Sequence, residues 1–211
     1  MQRTEKTFKY RSDFKKEISE LLLIEPKFHK IIEVVGAPIF TVSDRGFQAL
    51  FKIIVGQQLS TAAASSIWNK LKRAGVTEPN ILLASSDEVL RSLGLSKTKI
   101  QYAKGLALSD LDYLKLERDT NEDVINTLVS IKGIGHWTAE IYLMFSLQRI
   151  DVFANGDLAL QQATKAFLDL KSRPSHAEMT MISKKWKPFR TLAALVLWKY
   201  YGYLKNRKDK S

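Results

Sequence analysis

The chain has 211 residues, no cysteine and a formal net charge of +11 at pH 7. This length suits one domain or two small lobes with a buried core, and the lack of cysteine excludes disulfides and a cysteine-ligated iron–sulfur cluster. The three histidines are scattered along the chain, which argues against a zinc site. No apolar run approaches the roughly 20 residues that span a bilayer. The first residues are charged, which argues against a secretory signal.

The positive charge predicts a polyanionic partner. A basic excess of this size attracts phosphates and supports salt-dependent binding to nucleic acid that does not depend on base sequence. The alternative is a protein that is basic without such a partner, and charge alone does not separate these two interpretations.

Apolar spacing predicts helices from the start of the chain. Residues 13–35 carry apolar side chains at helical spacing, and the interruption at Pro26 predicts two helices there. A loop at 36–38 is the first candidate boundary between lobes. We expect Ser43 to cap the next helix, whose apolar face consists of Phe47, Leu50, Phe51, Ile54 and Val55.

The rest of the chain carries clear helix start and stop signals. Gly75 is expected to end a helix as the residue after its C-cap. No stretch shows the alternation of a strand, so the fold class is predicted to be all-α. Start signals are expected at Ser60, Ser96 and Thr120, at the capping box Ser175-His176-Ala177-Glu178, and at Pro188 in the first turn of the last helix.

The most informative stretch runs from Leu128 to Leu158. An apolar run is broken by a tight turn at 133–135, Gly-Ile-Gly, after which helix-forming residues resume, which predicts a helical hairpin. Glycines lack a Cβ, so this backbone can approach a ligand closely. The amides of Gly133, Gly135 and His136 then lie at the start of the second helix, where a phosphate is favoured.

One acid, Asp157, follows a loop of small residues, Ala154-Asn155-Gly156. A carboxylate at this helix start could stabilise a developing positive charge on a substrate, or it could simply cap its helix. The local sequence favours ordinary core positions for two tryptophans, Trp137 and Trp198.

Four ordered motifs resemble the helix-hairpin-helix, Gly/Pro-rich-loop, Asp superfamily of DNA base-excision glycosylases, within it the DNA-3-methyladenine glycosylase II branch. They run in the family's order over roughly residues 40–200, which is most of the chain. One departure is Ala154-Asn155, where the family often has proline, and it bears on the stiffness of the loop. The motifs are Gly133-Ile134-Gly135-His136-Trp137-Thr138-Ala139, Asp151-Val152-Phe153 with Gly156-Asp157-Leu158, Val55-Gly56-Gln57-Gln58-Leu59-Ser60, and Trp186-Lys187-Pro188-Phe189-Arg190 with Trp198.

The resemblance implies a two-lobed helical fold. Residues 42–150 would form the helix-hairpin-helix lobe, and 1–41 would pack with 151–211 as the second lobe. Asp157 would lie at the cleft between them.

The resemblance also implies roles for particular residues. Asp157 would be catalytic, and Gln58 would fill the gap left by an extruded nucleotide. Main-chain carbonyls of Val129, Ile131 and Ile134 could hold a Na⁺ or K⁺ ion, and no other cofactor is expected. The base pocket would contain Trp137, Trp198 and Tyr142, and the DNA contacts would come from Gln57, Gln58, Lys132, Gly133, Gly135, His136 and Thr138.

We therefore expect a monofunctional glycosylase that removes alkylated purines, 3-methyladenine first and 7-methylguanine second, from double-stranded DNA. Lyase-competent relatives carry a lysine where this chain has Trp137, so no lyase activity is expected. The protein would be a monomer inside the cell with the DNA, in the bacterial cytoplasm and nucleoid or in a nucleus, and without membrane contact. The alternatives are a non-catalytic hairpin module that only binds DNA, and a glycosylase for uracil, hypoxanthine or an oxidised purine.

Overall fold

The computed structural model describes residues 5–8 and 14–208. Across these residues the regular elements are helices, apart from one isolated bridge between Thr7 and Arg149, which confirms the all-α prediction. In chain order the helices are α1 (Lys15–Ile24), α2 (Phe28–Val35), α3 (Gly46–Gly56), α4 (Thr61–Arg73), α5 (Pro79–Ala84), α6 (Asp87–Ser92), α7 (Lys97–Ala107), α8 (Tyr113–Arg118), α9 (Asn121–Val129), α10 (His136–Phe145), α11 (Leu158–Phe167), α12 (His176–Ser183) and α13 (Arg190–Lys208), with a 3₁₀ turn at Lys184–Trp186.

The described residues form two compact units. The first contains residues 5 and 43–147, and the second contains 6–8, 14–42 and 148–208. The first unit therefore carries α3 to α10, and the second carries α1, α2 and α11 to α13. The assignment of lobes on either side of a binding cleft remains a prediction. No helix within 5–8 and 14–208 combines the length and apolar character needed to cross a membrane.

Predicted caps explain where several helices begin. The side chains of Ser60, Ser96 and Thr120 each accept a hydrogen bond from the backbone amide three residues on, as predicted. At Ser175 both halves of the predicted capping box are present. Gly75, with φ of +72°, follows the C-cap of α4, as expected for a residue that must leave the helix in the left-handed region.

Two predicted starts are wrong. The N-cap of α3 is Arg45 without a side-chain cap bond, whereas the backbone amide of Ser43 donates to the carbonyl of Phe145 at 3.0 Å. Pro188 lies before α13 rather than in its first turn, because a turn follows the 3₁₀ helix Lys184–Trp186, and in it the amide of Phe189 donates to Trp186 O at 2.8 Å. In both cases a hydrogen bond outside the helix overrides a local signal.

Each unit has its own core. In the first unit the apolar face of α3 is fully buried and packs against α4, α7 and α10. In the second unit α13 packs against α11 and α2. An aromatic cluster completes that second core, consisting of Phe28, Phe153, Phe167 and Trp186. These two cores hold the helices that carry the candidate site residues.

Candidate functional site

The hairpin of the first unit joins α9 to α10 through residues 130–135. Gly135 is the N-cap of α10 and has no side chain to satisfy the first amides. The first intrahelical bond runs from Ala139 N to Gly135 O, so the amides just before Ala139 lie at the positive end of the helix dipole. His136 and Lys132 are exposed beside this end. The arrangement is suited to a phosphate.

The two glycines of the turn serve different purposes. Gly133 has φ of +94°, and a Cβ on it would lie 2.1 Å from Cγ of Tyr102. Its missing side chain therefore makes room for the Tyr102 ring, which corrects the expectation that both glycines serve the approach of a ligand. A Cβ on Gly135 would have no other heavy atom within 4 Å, so this position is open.

Gln57 and Thr138 make contacts inside the protein. Nε2 of Gln57 donates to Gly133 O at 3.0 Å and to Thr138 Oγ1 at 3.1 Å. Thr138 is 2% exposed, too little for a direct contact with DNA, so its predicted role is corrected to an internal one. Gln57 likewise uses its amide nitrogen to hold the hairpin rather than to face solvent.

Gln58 is an exposed residue of the loop between α3 and α4. Its φ of +58° lies in the left-handed region, which non-glycine residues seldom adopt. Just before it, Lys99 donates to the carbonyl of Val55 at 2.7 Å and so caps the end of α3 with a positive charge. Burial lowers the pKa of the Lys99 ammonium below its usual value.

The carbonyls predicted to hold a monovalent cation lie at the same turn. Ile131 O accepts a hydrogen bond from Ile134 N at 3.0 Å, which leaves a second lone pair for a cation. The described residues contain no cluster of three or more acidic, histidine or cysteine side chains able to hold a metal. The ion at the carbonyls of Val129, Ile131 and Ile134 stays a prediction.

Asp157 is held at the start of α11 in the second unit. Its Oδ1 accepts hydrogen bonds from the backbone amide of Leu160 at 2.9 Å and from Nε1 of Trp198 at 3.1 Å. The side chain is partly exposed. The capping interpretation is thus correct as geometry, but a cap does not require the second donor. Trp198 and Asp157 were predicted separately, and the structure brings them together.

The loop before Asp157 is stiffened without proline. The carbonyl of Asn155 accepts from Nε2 of Gln161 at 3.0 Å, and its side-chain oxygen accepts from Oγ of Ser183 at 3.2 Å. The amide of Asp157 donates to Ala154 O at 3.0 Å. Polar contacts from α11 and α12 therefore restrain this loop at the position where the glycosylases that the chain resembles often have proline.

The remaining aromatic candidates lie in the first unit. Trp137, the second residue of α10, is partly exposed. Tyr142 is 1% exposed, and burial raises its pKa to about 12, so its ring belongs to the core and offers no face to a base. The meeting of Trp137 with Asp157 and Trp198 remains a prediction.

Arg190 is engaged within the second unit. Its guanidinium donates to both carboxylate oxygens of Asp151, at 2.7 and 3.1 Å, and to the Asp151 carbonyl at 2.7 Å. This pair ties the first turn of α13 to the segment that leads to Asp157. A positioning role follows from the geometry, where sequence alone left the choice between DNA and structure open.

Sequence reasoning missed Tyr102 and Lys99, which lie one turn apart on α7 and contact the hairpin and the end of α3, respectively. Their spacing in the sequence carries no such signal, because both partners are distant in the chain. Asn155 was noticed only as a departure from proline, and its two hydrogen bonds were not foreseen.

The chain is similar to known proteins over most of its length. The chain is 30% identical over 199 residues to the alkylbase DNA glycosidase-like protein mag2 of Schizosaccharomyces pombe, covering 89% of this chain and 93% of that protein. The structure of 3-methyladenine DNA glycosylase Mag1 from the same organism, in complex with abasic DNA, matches with a TM-score of 0.80 and 30% identity over 87% of this chain and 95% of that one. A DNA-3-methyladenine glycosidase from Bacillus halodurans matches with a TM-score of 0.77 and 34% identity over 95% of this chain and 94% of that one.

The sequence profile of the HhH-GPD superfamily of base excision DNA repair proteins matches residues 51–188. This span contains the hairpin, the Gln57–Gln58 loop and Asp157, and the relatives confirm the resemblance to the alkylation-repair branch. The chain belongs to the HhH-GPD superfamily of base excision DNA repair proteins.

Proposed function

We propose that the protein is a monofunctional DNA glycosylase that hydrolyses the N-glycosidic bond of alkylated purines in base excision repair. The observation that carries the proposal is the Asp157 carboxylate, which two donors hold in one orientation at the start of α11. Relatives named as 3-methyladenine glycosylases support 3-methyladenine as the first choice of substrate, and 7-methylguanine is proposed as the second.

The reaction breaks the bond between C1′ of the sugar and a purine nitrogen. Positive charge develops on the sugar in an oxocarbenium-like transition state, and the Asp157 carboxylate stabilises it. Water then forms a bond to C1′ and gives its proton to Asp157 or to solvent. An alkylated purine is already cationic, so it takes the bonding electron pair and leaves neutral without being protonated.

Trp137 and Trp198 are proposed to hold the extruded base. An electron-rich indole attracts a cationic ring with about 0.5–2 kcal/mol, which favours alkylated over normal purines. This proposal needs the two predicted lobes, 42–150 and 1–41 with 151–211, to face each other across a cleft. Tyr142 has no part in it, because its ring is buried.

The hairpin is proposed to grip the DNA backbone. Amides at the start of α10, with exposed Lys132 and His136 beside them, would contact phosphate, and a Na⁺ or K⁺ ion on the hairpin carbonyls would support that contact. Exposed Gln58 would enter the gap left by the flipped nucleotide. These backbone contacts read no base sequence, so the protein would scan the genome broadly as a monomer.

The product would be an abasic site. Formation of a Schiff base needs an amine at the sugar, and Trp137 occupies the position at which lyase-competent relatives have lysine. We therefore expect no strand cleavage without alkali or a separate enzyme.

The test is Asp157→Asn in a base-release assay on duplexes that carry each candidate lesion, followed by alkaline cleavage of abasic sites. Asparagine keeps an oxygen for the Trp198 and Leu160 donors but loses the charge, so base release should fall by roughly 10²–10³ or more, while affinity for an abasic duplex is retained. Wild-type protein without release from any lesion would favour the binding module. Release of uracil, hypoxanthine or an oxidised purine in preference to 3-methyladenine would favour the other glycosylase.

A further inference from the structure

Gln57 links two parts of the first unit that are about eighty positions apart in the chain. It is the C-cap of α3, and its side-chain nitrogen donates to Gly133 O at 3.0 Å and Thr138 Oγ1 at 3.1 Å. One acceptor lies in the turn of the hairpin and the other in the first turn of α10. A single amide therefore joins the loop that presents Gln58 to the hairpin that presents its amides.

The chemistry of this contact requires an amide. A primary amide nitrogen carries two protons, so the Gln57 side chain can donate to both acceptors at once. Reversing the amide, or replacing it with a carboxylate, would bring an oxygen against the Gly133 carbonyl and leave that part-buried acceptor without its donor. Thr138 is 2% exposed, so water has little access to its hydroxyl if the Gln57 side chain is removed.

Helix α7 supports the same two parts from a third direction. The Tyr102 ring lies against Cα of Gly133, where a Cβ would meet its Cγ at 2.1 Å. One turn earlier, Lys99 donates to Val55 O at 2.7 Å, at the end of α3. The loop, the hairpin and α7 are thus connected pairwise, which restrains their relative movement more than any one contact would.

Gln58 follows directly in the chain and is the residue whose position this bracing controls. It is exposed and has φ of +58°, a conformation that persists only where neighbouring contacts determine it. Gln57 on one side, and Ser60, which caps α4 by accepting from Ala63 N at 3.2 Å on the other, hold the ends of that short loop.

We propose that Gln57 is a positioning residue, which locks the Gln58 loop to the hairpin so that contact with phosphate and insertion of Gln58 occur as one rigid step. This inference rests on the proposed glycosylase function. Gln57 touches neither the base nor the sugar in this role. It acts by keeping Gln58 at a fixed distance from the amides that grip the DNA backbone.

The role predicts a dependence on base stacking. Insertion of Gln58 matters when the damaged base must be extruded from a stacked pair, and matters little when that base is already unstacked. Gln57→Ala should therefore slow single-turnover release of 7-methylguanine about tenfold when it is paired with cytosine, the effect of losing two ordinary hydrogen bonds. When 7-methylguanine lies opposite an abasic analogue, the same variant should slow its release by less than about twofold, because that base is less firmly stacked.

Epistasis separates positioning from general damage. If Gln57 acts through Gln58, adding Gln57→Ala to Gln58→Ala should slow release by less than about twofold beyond the single change. Thr138→Val, which removes one of the two acceptors, should slow release with the same dependence on the opposite base, but by a smaller factor than Gln57→Ala. Gln48→Ala is the matched control, because Gln48 is another α3 glutamine that bonds elsewhere, to Glu78.

Hydrogen–deuterium exchange supplies a readout that needs no DNA chemistry. In Gln57→Ala, amides in both 57–60 and 133–138 should exchange faster, whereas Gln48→Ala should leave them unchanged. Unchanged exchange in Gln57→Ala, equal loss of release on both duplexes, or multiplicative losses in the double variant would each overturn the proposal. Wild-type protein that releases no base would instead refute the glycosylase, and the exchange result would still decide whether Gln57 braces the loop.

Discussion

The indole of Trp198 offers a direct test of how Asp157 is held. In Trp198→Phe the ring keeps an aromatic face, but the Nε1–H donor, 3.1 Å from Asp157 Oδ1, is lost. A hydrogen bond to a charged group contributes about 1.5–3 kcal/mol. If the lost orientation is expressed fully in the transition state, base release should slow roughly 10- to 150-fold, at 1.36 kcal/mol for each factor of ten.

The assay is single-turnover release of 7-methylguanine from a methylated duplex, with the dissociation constant for an abasic duplex measured in parallel. The rate constant for base release should fall while DNA affinity changes by less than about threefold. The reason is that the lost hydrogen bond joins two side chains of the second unit and is not a contact with the DNA backbone. Phenylalanine also weakens any cation–π contact with the base, which adds about a kcal/mol at most.

Trp186→Phe is the matched control. Trp186 is a buried tryptophan of the same unit, 1% exposed, whose indole N–H has no hydrogen-bond partner. This change should lower the free energy of unfolding through lost packing but leave base release per folded molecule unchanged. The reasoning would be refuted by Trp198→Phe releasing base within about twofold of the wild-type rate, or by equal rate losses in the two variants.

Three further predictions concern the supports of the site. Gly133→Ala should lower the free energy of unfolding by about 2–5 kcal/mol, because its φ is left-handed and the new Cβ would clash with Tyr102. Gly135→Ala should stay folded and weaken binding of an abasic duplex. Calorimetry measures the stability of the two variants, and a binding titration measures their affinity for the duplex. Thr191→Val should cost about 2–4 kcal/mol in urea unfolding, because Thr191 Oγ1 serves the buried groups Val152 N and Arg149 O at 3.1 and 2.7 Å, and a loss below about 0.5 kcal/mol would contradict this. The backbone amide and hydroxyl of Ser175 donate to Glu178 and lower the pKa of its carboxyl below the ordinary 4.5. In thermal unfolding, the extra stability of wild type over Glu178→Gln should therefore be fully present above pH 4.5 and should disappear as the pH falls through the lowered pKa. A stability difference that does not change with pH would refute this.

Local chemistry explains which parts of the fold were predictable. Caps such as Ser60 and Ser175 depend on a side chain and an amide three residues away, so the sequence contains both partners. The hairpin turn is local in the same sense, since its glycines stand between two helical patterns. Ser43 was misread because its amide bonds to Phe145, about a hundred residues later.

The candidate site shows the same division at the level of single residues. Asp157 was identified from its motif and its place at a helix start, but its Trp198 donor lies 41 positions away. Gln57 and Thr138 were expected on the DNA side from their motifs, whereas the structure buries Thr138 and engages the side-chain nitrogen of Gln57 in a contact across 81 positions. The helical pattern fits Tyr142 equally well as a pocket residue or as a core residue, and only its burial in the structure distinguishes the two.

The sequence by itself determined an all-helical chain, the hairpin with its exposed start of α10, and Asp157 at the start of α11, because each depends on residues within about one helical turn of one another. The tertiary structure decided which donors hold Asp157, which glycine admits a ring and which glutamine stays exposed. These choices depend on contacts between segments far apart in the chain, and such contacts arise only when packing of the whole unit brings the segments together.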